Sequence, residues 1–259
     1  MPEIIARPAR HTAGAPESLI LLGVPLAVIV FLLGLEATDV DRIVENWFFD
    51  AAAGSFPLQR DTVLEVVLHY WTRCIVALIA AIAFAGFLLS FTIAALARER
   101  RMLLFVAVSI ALSTAAVAAL KLTSGKHCPW DLEEYGGLVP YTRLLELAPP
   151  GEKPGHCFPA GHASTGFSLL AFYFVGRARR DPRLARAGLA LGLGAGLVLG
   201  VGRMAQGAHF LTHVLWAGVV CWLVTVAVYA AIMRAGASTS PCGQGPGAMT
   251  ASGSWGEET

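Results

Sequence analysis

Residues 102–120 read MLLFVAVSIALSTAAVAAL, with Arg98, Glu99, Arg100 and Arg101 just before them and Lys121 just after. A helix needs about 20 mostly apolar residues to cross a bilayer. This uncharged run has that length and reads as a membrane-spanning helix. Five further candidate spans flank it: Ser18–Leu35, Cys74–Ala97, Gly161–Val175, Ala187–Gly202 and Val214–Met233. The runs at 161–175 and 187–202 fall short of the guideline, which predicts buried or tilted helices, or ends that continue into the flanking motifs. The expected fold is all-α: a six-helix transmembrane bundle with interfacial helices in the first outer loop.

Composition agrees. The chain is 56% hydrophobic and only 14% charged, where a soluble domain carries about 25% charged residues. A net charge of +1 and no long basic tract give no sign of a nucleic-acid partner, and none is expected. Residues 18–234 are read as one membrane domain and 1–17 as a cytoplasmic segment. Residues 235–259, rich in Gly, Ser and Pro, are read as a disordered tail. The first apolar run has no clear cleavage site before a soluble domain, so it is read as a retained span. The stretch GLALGLGAGLVLG (188–200) would break a helix in water; in a membrane it predicts close helix packing.

The loops orient the chain. Arg98, Arg100 and Arg101 follow the second span, and Arg177, Arg179, Arg180, Arg183 and Arg186 follow the fourth. Positive loops face the cytoplasm. Both termini then lie inside, and the segments 36–73, 121–160 and 203–213 lie outside an inner (cell) membrane, facing the periplasm or exterior. The 36–73 segment mixes Asp39, Asp41, Glu45, Asp50, Asp61 and Glu65 with Trp47, Phe48, Phe49 and Trp71. That mixture reads as amphipathic helix at the outer interface.

Polar residues near membrane depth gather at three places: Lys121 to Pro129, Pro159 to His162, and Arg203 to His213. All three fall on the outer side. Ionisable groups at membrane ends are often functional, although Lys121 alone also suits a lysine snorkelling from its span.

The order and spacing of these residues resemble the type-2 phosphatidic acid phosphatase family, the integral-membrane lipid phosphate phosphatases. The family pattern is K-x6-R-P, then P-S-G-H, then S-R-x5-H-x3-D. Here Lys121 is followed after six residues by Cys128-Pro129, Pro159-Ala160-Gly161-His162 stands in the second place, and Arg203 is followed by His209 and His213. The resemblance implies a metal-independent phosphoric ester hydrolase with no cofactor. Lys121 and Arg203 would hold the phosphate, helped by Lys126 and the backbone N–H groups of Ala160 and Gly161 at a helix start. His209 would be the nucleophile and His162 the acid, then the base. Partners would be a lipid phosphate substrate and the bilayer.

Four positions depart from the pattern. Cys128 replaces an arginine, whose charge Lys126 or Arg143 would have to supply. Ala160 and Gly202 replace serines. His213 replaces the aspartate that orients the nucleophile. It lies one helical turn beyond His209, where an imidazole can accept a hydrogen bond from it; Asp131, Glu133 or Glu134 are the alternative carboxylates. Cys128 and Cys157 share an outer loop and flank two motifs. In an oxidising compartment they are read as a disulfide closing a loop of about 30 residues. Cys74 and Cys221 read as packing residues, and Cys242 lies in the tail.

Three other readings compete. A zinc site on His209 and His213 with His162 or His156 is one, although the glutamate of H-E-x-x-H is absent. A phosphotransferase handing the phosphoryl group to a second lipid is another. A degenerate headgroup-binding protein is the third.

Overall fold

The computed structural model describes residues 19–146 and 149–234. The 1–17 segment and the 235–259 tail, with Cys242, lie outside the described residues. Among the described residues the chain is helical, with no named strand. The helices of six residues or more are α1 (Leu19–Leu35), α2 (Val40–Glu45), α3 (Leu64–Leu89), α4 (Arg100–Thr123), α5 (Gly161–Phe167), α6 (Ala171–Ala178), α7 (Pro182–Ala205) and α8 (Leu211–Tyr229).

Four of them, α3, α4, α7 and the helix running from Leu211 to Met233, are long and apolar enough to cross a membrane. Their outer faces carry large exposed apolar side chains, among them Leu78, Ile82, Leu112, Val198 and Leu223. This is a multi-pass membrane protein. The apolar helix α1 is shorter than these four. The 161–175 run becomes α5 and α6, separated by a turn of 3-10 helix at Ser168–Leu170. The second span starts at Leu64, ten residues before the expected Cys74. The Asp61 carboxylate accepts the Leu64 N–H at 2.8 Å and caps the helix start. It ends at Leu89, not Ala97, because the chain turns through Ser90–Thr92 and is extended at Ile93.

Small residues let α7 approach α5 and α6 closely. A Cβ at Gly166 would lie 2.4 Å from the Gly196 nitrogen, and one at Gly188 would lie 2.4 Å from the Phe172 carbonyl carbon. This is the packing that the 188–200 stretch predicts. Asp181 starts α7 by accepting the Arg183 and Leu184 N–H groups at 2.9 and 3.1 Å.

The two basic loops meet at one end of the bundle, where Arg179 pairs with Glu99 at 2.7 Å. The motif residues gather at the other end. There a satellite core of Phe56, Leu132, Tyr135 and Phe210 closes the loops over the helix ends. The turn from α7 to α8 passes through Gly207 at φ +72°, where a Cβ would strike the Phe56 ring at 2.4 Å. That turn brings His209 back beside Arg203.

The first outer loop carries the short helix α2. This helix has six residues, and two of its acids face inward. Asp41 is 7% exposed and Glu45 0%, because α2 packs against α8. Trp47 remains 74% exposed.

Candidate active site

Each motif side chain stands at a helix end. Lys121 lies in the last turn of α4, Arg203 in the last turn of α7, and His162 is the second residue of α5. His209 sits in the turn before α8 and His213 in its first turn. The ring centroids of His162 and His209 are 6.3 Å apart, and those of His209 and His213 are 6.1 Å apart. Lys121 and Arg203 lie within electrostatic reach of each other and of His209. The structure therefore brings Lys121, His162, Arg203, His209 and His213 together.

His209 is 2% exposed. Burial pushes its imidazole well below the ordinary histidine range, and His213, Lys121, His162 and Arg203 push it further. It is therefore neutral near pH 7 and retains a nitrogen lone pair. Its Nδ1 faces Cys157 Sγ at 3.4 Å.

Arg203 is held from two sides. Its Nη1 donates to Gln206 Oε1 at 2.8 Å, and its guanidinium lies 5.6 Å from the centre of the Trp130 ring. Its Nε is buried and has no hydrogen-bond partner among the described residues, so a donor remains for an anion. Trp130 is itself fixed by its backbone N–H donating to the Gly207 carbonyl at 2.9 Å.

The helix start at α5 offers less than its sequence promised. The Ala160 N–H already donates to the His213 carbonyl at 3.0 Å, so Ala160 ties two motifs together. The first backbone bond of α5 is Ser164 N–H to Ala160 O at 3.2 Å. Gly161, His162 and Ala163 precede it, where helix N–H groups lack intrahelical acceptors. A Cβ at Gly161 would meet nothing within 4 Å, so the backbone there adjoins open space.

Lys126 is directed elsewhere. Its ammonium donates to the carbonyls of Arg143 and Glu146, the latter at 2.7 Å, and it clasps the 142–146 loop. Arg143 is taken up by that loop too, its N–H donating to Glu146 Oε2 at 2.8 Å and its side chain facing Asp39 at 3.8 Å. Neither side chain replaces the arginine that Cys128 displaced. Among the described residues no hydrogen bond joins His209 to His213, whose Nδ1 is buried without a partner. Their rings stand too far apart and tilted at 66°. Nor do the alternative carboxylates reach His209. Asp131 accepts the Cys128 N–H at 3.2 Å, and Glu134 pairs with Arg42 at 2.8 Å.

Cys128 and Cys157 form a disulfide with a Cα–Cα distance of 5.2 Å. It ties the loop after α4 to the turn before α5, beside a backbone bond from Cys157 N–H to Lys126 O at 2.8 Å.

The first outer loop adds supports that the motifs did not reveal. Asp41 accepts the Thr212 N–H at 2.8 Å and also its hydroxyl. A carboxylate at the start of α8 also suits the helix dipole. Burial raises the Asp41 carboxyl to about 6, against the lowering effect of the Thr212 bonds. Glu45 is fully buried, and neither carboxyl oxygen has a partner among the described residues. Burial, with Asp41 nearby, pushes it up to about 9. Nothing in a stretch dense with acids marks which of them turn inward.

The fold places two cations and a group of imidazoles at one end of the bundle of a multi-pass membrane protein. Residues 102–237 match the PAP2 superfamily, and the chain belongs to that superfamily. The resemblance read from the three motifs is thereby borne out. The chain is also similar to the Lipid A 4'-phosphatase of Francisella tularensis subsp. novicida (strain U112), with 27% identity over 219 residues, 83% of this chain and 96% of that protein. No solved structure gives a significant match.

Proposed function

We propose that this chain is a lipid phosphate phosphatase, a six-helix membrane enzyme in which α1 and the α5–α6 segment complete the bundle. Its site faces the periplasm or exterior, and both basic loops lie in the cytoplasm. The observation that carries the reading is the gathering of Lys121, His162, Arg203 and His209 at one end of the bundle. The substrate is a lipid phosphate monoester or diphosphate of the outer leaflet. A lipid A phosphate is the first candidate, given the similarity to a protein of that named activity. An apolar groove of about 410 Å³, lined by Leu33, Leu120, Phe158, Trp216 and Val220 among others, begins beside the site. It offers the acyl chains of such a lipid a place next to the phosphate.

In the first step the His209 lone pair attacks phosphorus, and an N–P bond forms as the P–O ester bond breaks. The leaving oxygen takes a proton from His162. Lys121 and Arg203 hold the equatorial oxygens and offset their growing charge. In the second step His162 removes a proton from water. The resulting hydroxide attacks phosphorus, the N–P electron pair returns to His209, and inorganic phosphate leaves. The charge is supplied by side chains, so the reaction needs no metal ion. The test is phosphate release from lipid A, phosphatidate, phosphatidylglycerophosphate and a polyprenyl diphosphate by wild type beside His209→Ala and His162→Ala. Wild-type release on at least one lipid, lost in both variants, supports the reading. No difference on any lipid ends it.

A further inference from the structure

We propose that reduction of the Cys128–Cys157 disulfide converts the back of the site into a zinc centre. Its ligands are Cys157, His209, His213 and Cys128. One ligand atom each from Cys157, His209 and His213 lies within 4.8 Å of the others, and all three residues are buried. Zinc takes sulfur at about 2.3 Å and nitrogen at about 2.0–2.1 Å in a tetrahedron. Those lengths place sulfur and nitrogen about 3.5 Å apart, and Cys157 Sγ stands 3.4 Å from His209 Nδ1. The buried, unpartnered Nδ1 of His213 is a second point towards a missing ligand. Cys128 Sγ is bonded to Cys157 Sγ and so reaches the same place once freed.

The ligands are positioned by contacts other than the disulfide. Cys157 is held by its backbone bond to Lys126, and the His213 carbonyl accepts the Ala160 N–H. Asp41 fixes Thr212 between the two histidines.

The disulfide acts as the gate. While it is intact both sulfurs are neutral and poor donors, and two imidazoles alone hold zinc weakly. A dithiol transfers two electrons and two protons to the disulfide, leaving Cys128 and Cys157 as thiols and itself as a cyclic disulfide. Zinc then displaces the two thiol protons into solution. Two thiolates cancel the charge of the ion, so the complex is neutral, which suits a buried site. Two sulfurs and two imidazoles also favour zinc over magnesium or calcium.

A consequence follows for the proposed reaction, and it rests on the reading of His209 as the nucleophile. Zinc on Nδ1 leaves the imidazole proton on Nε2. That nitrogen then has no lone pair for phosphorus, and phosphate release stops. Metal binding itself does not depend on this reading.

The test is a metal titration of the full chain in detergent, with the disulfide intact or after dithiol treatment and removal of the dithiol by gel filtration. Cobalt is the optical probe and zinc the competitor. The reduced protein should bind one equivalent of cobalt, with thiolate-to-cobalt absorption in the near ultraviolet and tetrahedral bands in the visible, and zinc should bleach both. The oxidised protein should show neither. His213→Ala and Cys157→Ser should each weaken binding to the reduced chain by at least about tenfold. Absence of these bands in reduced wild type overturns the site. So does equal binding by the oxidised form, or unchanged affinity in both variants. Full phosphate release by the zinc-loaded reduced enzyme overturns the silencing. If no form releases phosphate from any lipid, the functional reading fails and the titration still judges the zinc centre.

Discussion

Glu45→Gln should stabilise this protein at neutral pH. The Glu45 carboxyl is 0% exposed, and its oxygens have no partner among the described residues. Burial lifts it from 4.5 to about 9. Between those two values the folded chain holds a proton that the unfolded chain has released. Stability is therefore fully present below about 4.5 and falls as pH rises, by about 1.4 kcal/mol per unit, until the folded group ionises near 9. At pH 7.5, about three units above the unfolded value, the ideal loss is about 4 kcal/mol. Relaxation and water penetration reduce it to roughly 2–4 kcal/mol. Glutamine keeps the shape of the neutral acid and removes the proton linkage. Thermal unfolding in detergent from pH 5 to 8.5 should show wild type falling with pH and the variant nearly flat. The variant should gain on the order of 5–10 °C at pH 7.5 and converge with wild type near pH 5. Parallel curves over the whole range would mean that Glu45 ionises normally in the folded chain, with water or a cation beside it.

Other substitutions probe the supports of the site. Asp41→Ala removes both bonds to Thr212 and leaves a buried N–H unpaired, so it should cost about 2–4 kcal/mol in thermal unfolding and slow phosphate release. Asp41→Asn keeps an acceptor and should recover most of both. Arg203→Lys loses the hold of Gln206 and the Trp130 stack, and should lower phosphate release at least about tenfold without changing the melting temperature by more than a few degrees. Gly166→Ala puts a methyl 2.4 Å from the Gly196 backbone nitrogen, and should cost at least about 1–3 kcal/mol as α5 and α7 move apart. Gly194→Ala, whose Cβ meets nothing within 4 Å, should be neutral or stabilising by up to about 1 kcal/mol.

Much of the bundle was legible because a bilayer imposes long apolar runs, and 102–120 became α4 almost residue for residue. Boundaries were less legible. The second span begins at Leu64 because Asp61 caps it, and Asp61 is one of six acids in that segment. The residues of the cluster were also legible, since charged and imidazole groups are scarce at membrane depth. Their supports were not. Asp41 reaches Thr212 across most of the chain, Gln206 looks like any polar turn residue, and Trp130 reads as an interface anchor. A lysine beside a motif carries no mark of its direction, and loop carbonyls hold the Lys126 ammonium. The substitution at His213 was visible, but its consequence was not. Among the described residues its ring makes no hydrogen bond to His209, whose Nδ1 has Cys157 Sγ beside it.

The most direct measurement is the covalent state of His209 during turnover. His162→Ala lacks the base for the second step, while an aryl phosphate leaves without needing the acid of the first. With a ³²P-labelled aryl phosphate, this variant should accumulate one acid-labile, alkali-stable label per chain on residue 209, and His209→Ala should accumulate none. Label on another side chain, or undiminished phosphate release by His209→Ala, would contradict the account.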